Sequence, residues 1–530
     1  MNLGDKEFHI APMIDVSTIE FRYFMRLLTK RAVIWNQMVV AETLVYRNKR
    51  HEQNLLSKEI ASCEVDSSST RCSSRDEKDN GDVELTPDLE KFCGWYDDSH
   101  VSGVSPHPTV CQLGSNIPSE ATFATRIAEK CGYDAIDLNS ECPSDRVAGR
   151  CFGAALMKQP DIAVDVVSAM VENTNLPVSV KTRIGVDEHS SFEYIASYIK
   201  RLVEEAGCKH FIIHARKVYL EGLMNPAENR TIPPLNYPIV YRLCKQFPDC
   251  SFIINGGISG LEMGREVAYG NTIEFNESGI GRRKEINTHE SDTDDHDVPC
   301  QKCNLPQGSC LIPPLVAPSN LQGVMVGRLA RDRPADLHDI DRYYYGEKSN
   351  PVANRRELME KYISFLERVY PRRCCDDDET CTLGMVKDMP HVIIQERKYC
   401  DICREFRGQN DYEICDNLPR NTDHSAGTKS TMTQTTQSGR RSRRHMKYEN
   451  CKIVSRIIDR ALAPTHNILT GIKGKKAFLQ TTHNLSRDKK VRNCGAAYIL
   501  YKAMQSVNAD VWDKPFELSG AVRNTYYPSK

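Results

Sequence analysis

Cys142, in the stretch Leu138–Met157 (LNSECPSDRVAGRCFGAALM), is the first candidate for chemistry in this chain. An apolar run ends at Asn139, and Cys142 follows in a predicted loop, directly before Pro143. A thiol has a reference pKa near ~8.5, so at neutral pH it is mostly protonated and can donate a proton. Most cysteines are simply buried side chains, so this interpretation depends on the surrounding sequence.

Two glycine-containing turns predict a site for an anion. INGGI contains Asn255, Gly256 and Gly257, and GVMVGR ends in Gly327 and Arg328. Glycine lets backbone N–H groups approach a phosphate closely. A lone pair of glycines after a strand is usually only a turn, but two such turns on adjacent strands, with an arginine, favour a phosphate cradle.

Alternating strands and helices are predicted to bring these residues together. Short β-rich runs predict eight strands, at Phe8–Pro12, Ala32–Trp35, Thr109–Leu113, Ala135–Asn139, Val178–Arg183, His210–His214, Phe252–Asn255 and Gly323–Val326. Amphipathic stretches predict helices at Glu20–Lys30, Pro118–Lys130, Asp161–Thr174, Phe192–Ala206, Ile239–Gln246 and Leu261–Tyr269. This alternation implies an α/β fold with a parallel sheet, and eight strands favour a closed (β/α)8 TIM barrel with its chemistry at the C-terminal strand ends. A doubly wound open sheet is the alternative.

Eight segments stand out along the chain in a fixed order. They are APMIDVS (Ala11–Ser17), QLGS (Gln112–Ser115), LNSECPSDRVAG (Leu138–Gly149), VKTRIGVD (Val180–Asp187), FIIHARKVYLEGL (Phe211–Leu223), ENRTIPPLNY (Glu228–Tyr237), INGGI (Ile254–Ile258) and GVMVGR (Gly323–Arg328). Together these segments resemble the tRNA-dihydrouridine synthases. HARK followed by ENRTIPPLNY is most similar to the A subfamily, which acts at positions 20 and 20a.

The resemblance implies an FMN at the barrel mouth. Gln112 corresponds to a side chain that hydrogen-bonds the polar edge of the flavin, and Lys181 to one beside N1–O2, where the reduced ring carries negative charge. A solvated lysine and a core histidine are the plain alternatives for Lys181 and His214. The implied ring contacts are Pro12, Met13, Ile14, Gln112, Lys181 and His214.

The resemblance also implies a tRNA substrate and a reaction. NADPH reduces FMN, hydride passes from flavin N5 to C6 of a uracil, and Cys142 protonates C5 from the opposite side. No GxGxxG fingerprint follows a strand, so NADPH is expected to visit the flavin only transiently. Asn139 and Arg183 correspond to positions that hold the base. The residues expected to face the RNA, each of which could also be a solvated surface charge, are Arg216, Lys217 and Arg230.

Three residues depart from the family pattern. Glu141 stands where glycine is usual before the cysteine, Gln37 where glutamate is usual, and Ala227 where a basic residue is frequent. A carboxylate at 141 is expected either to raise the pKa of the Cys142 thiol by repulsion between like charges or to crowd the pocket. Ala227 is expected to weaken or shift the contact with tRNA.

Composition limits the remaining possibilities. A net charge of −1 means that local basic patches, not the field of the whole molecule, must bind RNA. Without a signal peptide or a membrane span, the chain is expected to be a cytoplasmic monomer, with an organelle left open, and its 21 cysteines to be reduced. Two CxxC pairs, Cys300/Cys303 and Cys400/Cys403, leave structural zinc open but not favoured.

The expected organisation is a barrel followed by a helical tail. The barrel covers residues 1–345, with loop insertions at about 57–98 and 276–317, both rich in polar residues. A helical segment at 346–420, a disordered basic linker at 421–450 and a helical, possibly tRNA-binding domain at 451–530 follow. Two other functions stay open: an FMN barrel oxidoreductase acting on a small pyrimidine or enone, and a catalytically weakened RNA-binding homologue.

Overall fold

The structure is a computed structural model of the full chain. It describes residues 6–63, 83–143, 152–220, 228–270, 273–275, 281–283, 317–370, 455–488, 491–492 and 494–516. The CxxC pairs, Ala227 and the basic linker predicted at 421–450 lie outside these residues.

Eight parallel strands form a closed barrel. The first strand pairs with the second on one side and with the last on the other, so the predicted (β/α)8 barrel is confirmed and the open sheet is excluded. The strands are β1 (Glu7–Ile10), β2 (Val33–Trp35), β3 (Val39–Val40), β4 (Thr109–Gly114), β5 (Ala135–Ser140), β6 (Val178–Arg183), β7 (His210–His214), β8 (Ser251–Asn255), β9 (Ile273–Phe275), β10 (Gly281–Arg283) and β11 (Leu321–Val326). β3 extends the sheet beside β4, and β9 and β10 form a separate hairpin.

Several helices begin where the local sequence supplies a cap or a proline. The Thr18 and Ser191 side chains accept backbone N–H groups at the starts of two helices, and proline opens several others. The helices are α1 (Ile19–Leu28), α2 (Ala41–Cys63), α3 (Pro87–Cys93), α4 (Ser99–Ser102), α5 (Pro118–Cys131), α6 (Pro160–Glu172), α7 (Phe192–Glu204), α8 (Tyr237–Gln246), α9 (Leu261–Tyr269), α10 (Arg328–Asp332), α11 (Arg355–Val369), α12 (Lys475–Arg487), α13 (Gly495–Gln505) and α14 (Ala509–Asp513).

The predicted loop insertion at 57–98 is wrong at both of its ends. α2 continues to Cys63, and α3 lies within the segment with Leu89 and Cys93 buried. The Thr86 side chain caps α3, and Gly94 ends it in the left-handed conformation, so a short helix forms despite the polar average composition. Residues 64–82, and most of the second insertion, lie outside the described residues.

The chain divides into two compact units. One comprises 1–362, 463–475 and 508–530, and the other comprises 363–462 and 476–507. This division differs from the predicted boundaries at 345 and 451, because part of the tail belongs to the barrel unit. The Asn467 amide, for example, donates to the Arg331 carbonyl at 3.1 Å. Among the described residues, no helix combines the length and the hydropathy needed to cross a bilayer.

The side chains that fill the barrel alternate along its strands. One cluster inside it comprises five strand residues and Ala11, which directly follows β1: Ala11, Trp35, Val110, Ile212, Ile253 and Met325. Because successive strand residues point to opposite faces, residues two positions further along also point inward, toward the C-terminal mouth. This alternation determines which polar side chains can meet there.

Gly323 allows β1 and β11 to approach each other, and Gly323→Ala is expected to destabilise the barrel. Gly323 pairs with Glu7, and a Cβ at this position would overlap the Glu7 backbone carbonyl. We expect a loss of about 3 kcal/mol in the free energy of unfolding, measured by urea denaturation. Gly264→Ala is the control. Gly264 lies within the helix α9, and a Cβ added there would lie 3.4 Å from the Phe8 ring, which is an ordinary packing distance. Equal stability of the two variants would contradict this account.

Candidate active site at the barrel mouth

Polar side chains follow the barrel core at the C-terminal ends of the strands. Each occupies an inward position of its strand, and all are buried in the structure. Three of them stand two residues after a core side chain: Gln112 after Val110, His214 after Ile212, and Asn255 after Ile253. The barrel therefore collects at one mouth most of the residues that the sequence predicted for the flavin ring.

Lys181 and Glu141 form a buried ion pair at the centre of this mouth. The Lys181 ammonium contacts Glu141 Oε2, and it also donates to Asn255 Oδ1 at 3.3 Å. His214 Nδ1 lies 3.5 Å from the same Glu141 oxygen. The Lys181 side chain is 1 % exposed and that of Glu141 is 15 % exposed, so both charges are largely removed from water.

The surrounding charges determine the protonation states of these three groups. Burial alone would raise the pKa of Glu141, but attraction by Lys181, a hydrogen bond from His214 and the charge of Arg183 hold that pKa below its usual range. Burial lowers the pKa of Lys181, and the carboxylate of Glu141 opposes this shift. Burial and repulsion by Arg183 lower the pKa of His214 to about 3. Near pH 7 the site thus holds a carboxylate at Glu141 and a neutral imidazole at His214, and the carboxylate favours the ammonium form of Lys181.

A chain of hydrogen bonds holds the backbone of Cys142. Asn139 Oδ1 accepts the Cys142 N–H at 3.1 Å and the Glu141 N–H at 3.3 Å. The Asn139 amide nitrogen donates to Gln112 Oε1 at 3.0 Å, and Gln112 Nε2 donates to Asp137 Oδ2 at 2.8 Å. This order fixes the orientation of both amides and positions the loop that carries the partly exposed thiol.

Asp137, at the far end of this chain, was missed in the sequence analysis. It is fully buried, and burial raises its pKa to about 8 against the hydrogen bonds from Gln112 and Ser179. The available signal was an acidic residue between the apolar residues Ile136 and Leu138, two residues before Asn139 and therefore on the same face of the strand. Asp137 supports Gln112 and Asn139, which in turn hold the loop.

The loop after β1 places Pro12, Met13 and Ile14 at the same mouth. The Met13 N–H donates to Ser17 Oγ at 3.0 Å, and the Ile14 side chain is 50 % exposed. Gln37 holds the turn, since its Oε1 accepts the N–H of Asp15, a residue with φ of 61°. The amide oxygen of Gln37 therefore accepts a hydrogen bond that a carboxylate oxygen at this position could also accept.

The predicted phosphate cradle lies on two adjacent strands. Gly256 has φ of 114° and Gly257 has φ of 73°, values that favour glycine. A Cβ on Gly256 would lie 2.9 Å from His214 Cδ2, so the turn packs closely against the His214 ring. Gly327 follows the neighbouring strand β11, and Arg328 begins α10 with its side chain exposed.

Arginines surround the mouth. Arg183 Nη1 donates to the Asn229 carbonyl at 2.8 Å, and Arg216 donates to the Pro233 carbonyl. The Nε atoms of both arginines are buried without an acceptor among the described residues. Burial and the charges of Arg328 and Arg183 lower the pKa of Arg216 to about 10. Arg230 is exposed.

Arg183, Arg216 and Arg230 form an arginine rim at the mouth, and further positive charges lie beside it. Arg331, missed in the sequence analysis, lies close enough to Arg230 to lower its pKa, after the larger effect of burial. Lys217 lies over the Tyr219 ring at 4.4 Å, with its Nζ 3.5 Å from the Asp187 carbonyl. The Lys217 side chain is therefore held against the protein surface by these two contacts.

Comparison with known proteins agrees with this architecture. The sequence model described as Dihydrouridine synthase (Dus) matches residues 96–273. A tRNA-dihydrouridine(20/20a) synthase of Shewanella oneidensis is 36% identical over 68% of this chain and 78% of the relative. The enzyme of the same name from Synechocystis is 32% identical over 68% and 77%, and that from Vibrio vulnificus 29% over 68% and 79%.

The fold and the site define a TIM-barrel protein with buried polar groups at its C-terminal mouth. More specifically, the chain belongs to the dihydrouridine synthase family, whose members are flavin-dependent oxidoreductases.

Proposed function

We propose that this protein reduces uridine to 5,6-dihydrouridine in the D-loop of tRNA, with FMN as cofactor, NADPH as reductant and Cys142 as proton donor. The observation that carries the proposal is the position of Cys142. Its backbone is held by Asn139 at the same mouth where Lys181, His214 and Asn255 converge. The names of the relatives support positions 20 and 20a as the target.

The residues present fit FMN. An ammonium at the end of β6 and a neutral imidazole on β7 suit a polar ring edge that becomes negative on reduction. The glycine turns after β8 and β11, with Arg328, suit a phosphate. When bound there and reduced by NADPH, FMN would supply the hydride for C6 of the uracil.

Cys142 is suited to release a proton. Arg183 and Arg230 both lie close enough to interact with the charge of its thiolate. Positive charge stabilises a thiolate, so these arginines favour the species that remains after the proton has moved to C5 of the uracil. In this proposal Asn139 and Arg183 also hold the base.

The arginine rim provides the contact with RNA. The target uridine must leave its stack to enter the barrel mouth, and phosphate contacts help to hold the opened RNA. With a net charge of −1 for the whole chain, Arg216 and Arg230 are the local groups that meet this need.

The direct test is incubation of the purified protein with NADPH and unmodified tRNA, followed by mapping of dihydrouridine by mass spectrometry. We expect a flavin absorbance band and a new dihydrouridine at position 20 or 20a. Reduction of free uridine but not of tRNA would favour a small-molecule reductase instead. A colourless protein that binds tRNA without product would favour the weakened RNA-binding homologue, which Glu141 makes the second candidate.

Arg230→Ala is expected to weaken tRNA binding without changing FMN binding. Loss of one phosphate contact should reduce the slope of log affinity against log salt by about 1. Binding is measured by filter retention at several salt concentrations. Arg201→Ala is the control, because Arg201 lies on α7 and pairs with Glu205 and Asp161. An unchanged slope for Arg230→Ala would remove this residue from the RNA surface.

A further inference from the structure

Glu141 is the feature of this mouth that the family pattern does not explain. Where glycine is usual, this chain places a carboxylate, and the side chain turns inward onto Lys181 and His214. It thus occupies the same ammonium that the proposed function assigns to the flavin edge. A glycine at this position would leave Lys181 with Asn255 as its remaining described contact.

We propose that Glu141 is a built-in counter-ion of Lys181 that competes with flavin for the ammonium, and so weakens the binding of FMN, most of all in its reduced, anionic form. This inference rests on the proposed function, because it requires a flavin edge beside Lys181. It assigns Glu141 a positioning role that acts through Lys181, not contact with the substrate.

The buried geometry makes this competition effective. A buried ammonium requires a compensating partner, and Glu141 supplies one when no flavin is bound. A second anion at the same ammonium must displace the carboxylate or remain beside it. Displacement weakens binding, and remaining destabilises the reduced ring by repulsion, so both responses change flavin affinity in the same direction.

Movement of Glu141 is confined to its side chain. The backbone N–H at this position donates to Asn139 Oδ1 at 3.3 Å, which holds the loop in place. Rotation of this side chain would take the carboxylate away from Lys181. The charged and titratable groups that already interact with Glu141 are Lys181, His214, Arg183, Arg230 and Asp137.

The test compares flavin binding in the wild-type protein with Glu141→Gly and Glu141→Gln. Dissociation constants for oxidised and anaerobically reduced FMN are measured by fluorescence, and the midpoint potential of the bound flavin by anaerobic dye titration. We expect at least tenfold tighter binding of reduced FMN in both variants, with a smaller gain for oxidised FMN. A tenfold greater preference for the reduced form corresponds to a rise of about 30 mV in the two-electron potential.

Glu188→Gln is the matched control. Glu188 lies in the loop after β6, and its carboxylate pairs with His189 instead of Lys181, so flavin affinity and potential are expected to stay at the wild-type values. Glu141→Gln keeps the size of the Glu141 side chain, so it provides a folded comparison if Glu141→Gly is unstable. Folding is verified by circular dichroism.

The outcomes separate the two proposals. If the wild-type protein binds FMN and both Glu141 variants bind it with unchanged affinity and potential, the counter-ion role is overturned while the proposed function stands. If neither the wild-type protein nor the variants bind FMN, the proposed function is overturned and this inference with it. Tighter binding by Glu141→Gly alone would also overturn competition by charge, because the glutamine variant removes the charge equally.

Discussion

Cys142→Ala is expected to abolish most dihydrouridine formation while FMN binding stays unchanged. A positioned general acid contributes about 10²- to 10⁴-fold to a rate, so the variant should be slower by a factor in that range. The loop would keep its position, since Asn139 holds the backbone and not the thiol. The measurement is dihydrouridine formed per flavin in a single turnover with reduced enzyme and unmodified tRNA.

A substitution at a second cysteine is the control for Cys142→Ala. Cys494→Ala removes a half-buried thiol outside the barrel unit and is expected to leave the single-turnover rate unchanged. Both variants should show the wild-type flavin absorbance band. A Cys142→Ala protein that reduces tRNA at the wild-type rate would remove Cys142 as the acid, whatever its effect on tRNA affinity.

Lys181→Met is expected to cause the largest loss of stability at the site. It leaves the carboxylate of Glu141 buried without its ammonium, and breaking a buried pair in this way costs about 3–5 kcal/mol. The free energy of unfolding is measured by urea denaturation. The double variant Glu141→Gln/Lys181→Met removes both charges and should recover most of the loss.

The pH dependence of Lys181→Met should be opposite to that of the wild-type pair. In the wild-type protein the pKa of Glu141 is lowered, so its contribution to stability is present above its unfolded value, near ~4.3, and is lost as the pH falls. Without Lys181 the folded-state pKa should rise above the unfolded value, so stability should fall as the pH rises from ~4.3 through the raised folded-state pKa. Equal stability losses in the single and double variants at pH 7 would contradict a coupled pair.

Replacing Glu141 and replacing Lys181 should therefore affect cofactor binding differently. Removing Glu141 leaves an ammonium that a flavin edge can compensate, whereas removing Lys181 leaves a carboxylate that the proposed cofactor repels. For this reason we expect FMN to stabilise Glu141→Gln against thermal unfolding, and to have little effect on Lys181→Met. The pair therefore links the stability of the apoprotein to cofactor binding.

Local sequence was sufficient to predict the barrel. Its strands are short β-rich runs separated by amphipathic helices, and these patterns depend on neighbouring residues alone. The runs at Val178–Arg183 and His210–His214 matched the observed strands at both ends, and the other six differed by only one or two residues at an end. Composition over a wider window was a poorer guide, since it concealed the capped helix α3 within a polar segment.

The position of Cys142 after a strand, and the glycines after β8 and β11, were also readable from the sequence, because each depends on a residue and the strand before it. The sequence did not determine the direction of the Glu141 side chain. The sequence left two effects of Glu141 open, on the pKa of Cys142 or on the space in the pocket. The structure shows the Glu141 side chain within the mouth, in contact with Lys181. That contact depends on the register between β5 and β6, which sets Asn139 beside Lys181.

The same limit applies to the hydrogen-bond chain behind Cys142. Asp137, Gln112 and Asn139 meet because β4 and β5 are neighbours in register, with Gln112 opposite Asp137. Residue types and their spacing along the chain determined the fold and the candidate chemistry. Only closure of the barrel decided which charges face each other, since strand register joins residues that no local pattern connects.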